Sequence, residues 1–76
     1  MAINMARSVH LEKDSRYYIA EIVRDLFGAL VVVLRWGSLK TSWERQKEIP
    51  VRSLEEAALV IAAIVQKKEK RGYILK

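Results

Sequence analysis

Two tryptophans and three cations lie close together between positions 35 and 45: Arg35-Trp36-Gly37-Ser38, then Lys40, Thr41, Trp43 and Arg45. Cations and hydroxyls hold phosphate oxygens, and an aromatic face stacks on a sugar or a base. Arg35, Trp36, Gly37, Ser38, Lys40, Trp43 and Arg45 are therefore a candidate nucleic-acid-binding set. The competing reading is structural: Trp36 caps the core and the charges form a solvated rim. Covalent chemistry has far less to work with. Cysteine is absent, which excludes a thiolate metal site, and His10 is the single histidine, so a histidine metal site or a Ser-His-Asp triad would have no other imidazole to work with. The adjacent carboxylates Glu55 and Glu56 fall where a helix begins, and there they serve the helix dipole rather than acid–base catalysis. No enzyme activity, cofactor, metal or small-molecule substrate is expected.

These residues need a scaffold, and the hydrophobic pattern supplies one. Leu30-Val31-Val32-Val33-Leu34 is an unbroken apolar block. β-Branched residues suit a pleated surface, and apolar residues on both parities predict a strand inside a sheet, covered on both faces. It would end at Arg35-Trp36-Gly37, with the glycine releasing the chain. Upstream, Val9 and Leu11 share one parity. After an Asp14-Ser15 turn, Tyr18, Ala20 and Ile22 share a face of the next strand. Gly28 supplies a hairpin backbone free to take positive φ. Phe27 at that tip is read as a staple over the core, with an exposed anchor as the alternative. Arg45, Lys47 and Ile49 alternate with Glu44, Gln46 and Glu48, and Pro50 marks an edge or an end. Ser53 with Glu56 forms a capping box, Lys67 to Arg71 is a cationic last turn, and Gly72 is a C′ residue. Leu54, Ala57, Ala58, Ile61, Ile64 and Val65 make the buried stripe.

The expected fold is α+β. Four antiparallel strands near residues 7–13, 16–25, 29–36 and 44–51 form a bent sheet, and one C-terminal helix near 53–71 packs on it. Residues 73–75 would dock as a last extended piece, while 1–6 carry no pattern and should fray. Seventy-six residues make one domain, 1–76, with an ordered core of about 7–75. The longest apolar run, residues 57–65, falls far short of the roughly 20 residues needed to span a bilayer. The opening MAINMARSVH has no signal-peptide core, so a cytoplasmic protein with no membrane contact is expected. Fourteen Lys and Arg against nine Asp and Glu give a net charge of +5, a bias toward polyanions.

The order of these pieces resembles the WGR domain, named for its Trp-Gly-Arg signature. The matching segments are Arg16-Tyr17-Tyr18, Val23-Arg24-Asp25, Arg35-Trp36-Gly37, Pro50 before the helix, Ser53-Leu54-Glu55-Glu56-Ala57 and Arg71-Gly72-Tyr73. The resemblance covers about residues 7–73. It implies a small α+β module of the kind found in poly(ADP-ribose) polymerases, where it binds DNA near breaks, and in small bacterial proteins. It also implies that Trp36 lies against the sugar-phosphate backbone. Ser38 stands where the signature arginine should be. Lys40, Ser42 and Trp43 occupy positions where small residues are usual, and Arg45 replaces a common glutamine. The function implied is binding of nucleic acid, DNA in preference to RNA, at ends or nicks. The alternative is a protein–protein or dimerisation module without a nucleic-acid role.

The helix makes a separate suggestion. With Leu54, Ala58, Ile61 and Val65 toward the sheet, Leu59 and Ala63 point away and Val60 lies on the flank between. An apolar patch of Leu59, Val60 and Ala63 between Glu56 and Lys67 has the look of an interface for a homodimer or a partner helix. Cover by the N-terminal residues or by the tail at 73–75 is the alternative.

Overall fold

The computed structural model describes residues 8–76. Strands β1 (Ser8–Lys13), β2 (Arg16–Arg24), β3 (Leu30–Ser38) and β4 (Glu44–Val51) precede the helix α1 (Leu54–Lys70), and β5 (Ile74–Leu75) follows it. The sheet is open and antiparallel, in the order β4-β3-β2-β1-β5. It has five strands rather than the four expected from sequence. The fifth arises because Gly72, at φ +98°, turns the chain back after the helix. Ile74 and Leu75 then pair with Glu12 and Leu11, and the Lys76 N–H donates to the His10 carbonyl.

Register decides which side chains meet the helix. Tyr18 lies opposite both Leu11 and Trp36, Ala20 opposite Leu34, and Ile22 opposite Val32. These residues form the core with Ala57 and Ile61 of α1, and Leu11, Val32 and Ala57 lose all solvent exposure. Val31 and Val33 point to the other face yet are also buried. Both faces of β3 are covered, as its composition predicts, but only one by an element. On the other face, among the described residues, β3's own Arg35 is bridged to Glu21 of β2 at 2.9 Å.

The helix caps follow the sequence closely. The Ser53 hydroxyl accepts from the Glu56 N–H at 3.1 Å, while the Glu56 carboxylate reaches back to the Arg52 N–H at 2.6 Å. At the other end, Tyr73 N–H donates to the Lys68 carbonyl and Gly72 N–H to that of Glu69, a Schellman closure. Two expected core positions are not core: Leu54 is half exposed and Ala58 is exposed. The helix turns Ala57 and Ile61 squarely to the sheet, with Val60, Ile64 and Val65 packed beside them.

Phe27 is not a staple. It stands 94% exposed beside Leu26 at 99%, at the tip of the β2–β3 hairpin. Gly37 does not release the chain either: β3 runs through it to Ser38. His10 lies on the face away from the helix, with Nε2 3.1 Å from a Glu12 carboxylate oxygen. The expected start of β1 at residue 7, the ordered core's first position, and any cover from the N-terminal residues fall outside the described residues.

Candidate nucleic-acid interface

At the end of the sheet where β1 turns into β2, three parts of the chain converge. The Lys13-Asp14-Ser15-Arg16 turn, with Asp14 at φ 55°, forms one side. The end of β3 with the loop after it forms a second. The last turn of α1 and its Schellman closure form the third. Lys13 Nζ donates to the Arg71 carbonyl at 2.6 Å, and Leu39 N–H donates to the Ser15 carbonyl at 2.6 Å. Between them lies a cleft of about 940 Å³ lined by Lys13, Ser15, Arg16, Tyr17, Tyr18, Trp36, Gly37, Ser38, Trp43, Lys68, Arg71 and Tyr73. Four of these are cations, five are aromatic and none is a carboxylate.

Tyr18 and Trp36 are directly opposed across β2 and β3, and their rings stack with centroids 5.6 Å apart at 14°. Trp36 packs against the core and also lines the cleft. Lys68 reaches over the Tyr18 ring at 4.5 Å and over Tyr73 at 5.4 Å. Burial, then the charges of Arg71 and Lys67, push the Lys68 pKa below its ordinary value. The folded chain therefore holds this ammonium against two opposing effects, and an anion in the cleft would offset the repulsion from Arg71 and Lys67. Burial and the neighbouring Tyr73 raise Tyr18, so it stays a neutral phenol. Tyr17 is raised chiefly by its hydrogen bond to Glu44, at 2.6 Å. Lys13, Arg16, Lys68 and Arg71 take no part in either of the two ion pairs found among the described residues. An arrangement of unpaired cations over stacked aromatics can hold phosphates and seat a sugar or base.

The candidate residues divide. Trp36, Gly37, Ser38 and Trp43 line the cleft. Arg35 alternates to the opposite face of the sheet and pairs with Glu21. Lys40 is exposed in the loop, where its N–H donates to the Ser38 hydroxyl. Arg45 lies across from Trp36 on β4, with its guanidinium 5.4 Å from the centre of the Trp43 ring. Linear reading did not bring Lys13, Arg16, Tyr17, Tyr18, Lys68, Arg71 and Tyr73 to the candidate set, yet they line the cleft. For five of them the signal is the two matched segments Arg16-Tyr17-Tyr18 and Arg71-Gly72-Tyr73; Lys13 and Lys68 lie outside both. On the helix, Leu59 and Ala63 are exposed, while Val60 is half-buried against the core. The tail at 73–75 pairs with β1.

Among the described residues no helix is long and apolar enough to cross a membrane, and no group of three or more His, Cys, Asp or Glu could hold a metal. No curated protein and no solved structure matches the chain. A family model does: that of the WGR domain, over residues 1–76.

Proposed function

The chain belongs to the WGR domain family, generally a nucleic-acid-binding rather than a catalytic module, and from that premise we propose that it binds DNA through the cleft around Trp36. The observation that carries this reading is the lining: four cations that join no ion pair among the described residues, and five aromatics, with no carboxylate among them. Trp36 and Tyr18 provide the apolar seat for a sugar or base. Lys13, Arg16, Lys68 and Arg71 supply the charge that the missing signature arginine would have given, with the Ser15 and Ser38 hydroxyls between them. A seat for one stacked group suits a strand end or a nick better than a continuous duplex. The binding is largely independent of sequence, because none of these contacts reads a base edge.

Fluorescence anisotropy with nicked duplex, intact duplex and RNA, over a salt series, tests the proposal. The expected result is binding in the range of about 10⁻⁴–10⁻⁶ M at moderate salt, steeply salt-dependent and tightest with the nicked duplex. Trp36→Ala and Arg71→Glu each weaken it. Arg71 is exposed, so its replacement leaves the fold intact and keeps the test valid should Trp36→Ala unfold. Absence of binding at low salt overturns the proposal.

A further inference from the structure

We propose that the outer face of α1 binds a second copy of this chain, the two helices running antiparallel about a two-fold axis. Three observations on different parts of that face support this. Leu59 projects from mid-helix at 71% exposure. Beside it runs a largely apolar groove of about 550 Å³, walled by Ser8, Val9, Ile22, Ala58, Ile61, Ala62 and Val65. One surface thus carries both a projecting side chain and a recess able to take one, which is the self-complementarity a two-fold interface requires. The third observation is charge. The first turn holds the exposed Glu55 and Glu56, and the last turn is net basic, with Lys67 and Lys70 exposed beside the single carboxylate of Glu69. Glu55, Glu56, Lys67 and Lys70 join no ion pair among the described residues.

Charge chooses both the occupant and its direction. A copy laid antiparallel sets each acidic first turn against a basic last turn, at both ends of the contact. A parallel copy sets like against like. Placing the pair about mid-helix brings Leu59 over the partner's groove and, by symmetry, the partner's Leu59 over this one. The expected patch of Leu59, Val60 and Ala63 is moved by the structure: Val60 turns toward the core, and the apolar surface extends from Leu59 the other way, through Ala58 and Ala62. The cleft lined by Lys68 and Arg71 is at the helix's inner side, so the two sites are independent and this proposal stands without the nucleic-acid reading.

Sedimentation equilibrium without nucleic acid tests it, with circular dichroism confirming that each variant is folded. A single short helix face implies a weak dimer, with a dissociation constant of roughly 100 µM. Leu59→Glu should raise that constant about tenfold or more, as loss of a central anchor does. Glu55→Lys and Lys70→Glu should each weaken self-association, and an equimolar mixture of the two should restore it as a heterodimer. A monomer at every concentration overturns the proposal and leaves the groove to the residues ahead of Ser8 or to another protein. A dimer indifferent to Leu59→Glu, or a mixture that gains nothing over either charge variant alone, overturns it as well.

Discussion

Gly37 is read from sequence as the point where the strand lets the chain go, and the structure gives it a different reason to be glycine. It is buried within β3 and its φ is not in the left-handed region. A Cβ added there would collide with the Trp43 carbonyl, lie 2.9 Å from the Tyr17 hydroxyl and 3.2 Å from the Glu44 Cα. The glycine lets β4 begin close over β3 and leaves room for the Tyr17–Glu44 hydrogen bond. Two of the three neighbours are backbone and cannot rotate away. Gly37→Ala should therefore cost about 1–3 kcal/mol, the range for overpacking, read from urea denaturation; an unchanged midpoint would refute the close-approach account. Lys68 makes a second residue-scale case. Its pKa is lowered, so below that value the folded state carries the charged form at a cost, and as pH rises it loses its proton before an ordinary lysine does. DNA binding should weaken as Lys68 loses its proton. It should begin to fall below the usual lysine range, and Lys68→Arg should move the fall to higher pH.

The β2–β3 hairpin carries a lesson at the scale of an element. Its turn was legible because each residue has a local reason. Asp25 Oδ1 accepts from the Phe27 and Ala29 N–H groups at 2.9 Å each, Gly28 takes φ +84°, and Arg24 donates to the Gly28 carbonyl at 2.7 Å. Where the tip side chains point was not legible, since that depends on how far the hairpin overshoots the helix. Leu26 and Phe27 clear the core entirely. Phe27→Ser should therefore leave stability within about 0.5 kcal/mol of the parent, as exposed substitutions do. Asp25→Ala, which orphans two backbone donors, should cost about 1 kcal/mol. Thermal unfolding of both variants separates them, and a larger loss at Phe27 would bring the staple back. The helix shows the same division. Its caps, set by neighbours in sequence, were readable at both ends, whereas the fifth strand depended on a return to β1 that local pattern does not encode.

Across the whole molecule, strand alternation sorts the charge. Residues of one parity face the helix, and there the strands present Lys13, Arg16, Arg24, Arg45 and Lys47 with no carboxylate. The other face presents Glu12, Glu21, Glu44 and Glu48, with Arg35 as its cation. The alternation in β4 was visible in the sequence. What was not visible was which face the helix would take, and so that all the strand cations but Arg35 gather on one side. Nor could linear order bring Lys13 to Arg71, 58 residues apart, to close the cleft. This sorting permits a test that net charge alone cannot pass. Arg16→Gln and Arg35→Gln remove the same single charge from opposite faces. If polyanions are held in the cleft, Arg16→Gln should reduce the slope of log K against log salt by about 1, the share of one phosphate contact. Arg35→Gln should leave the slope unchanged, because its charge is already spent on Glu21. Equal effects from the two would mean that the chain is attracted to DNA by total charge and that the cleft has no special part in it.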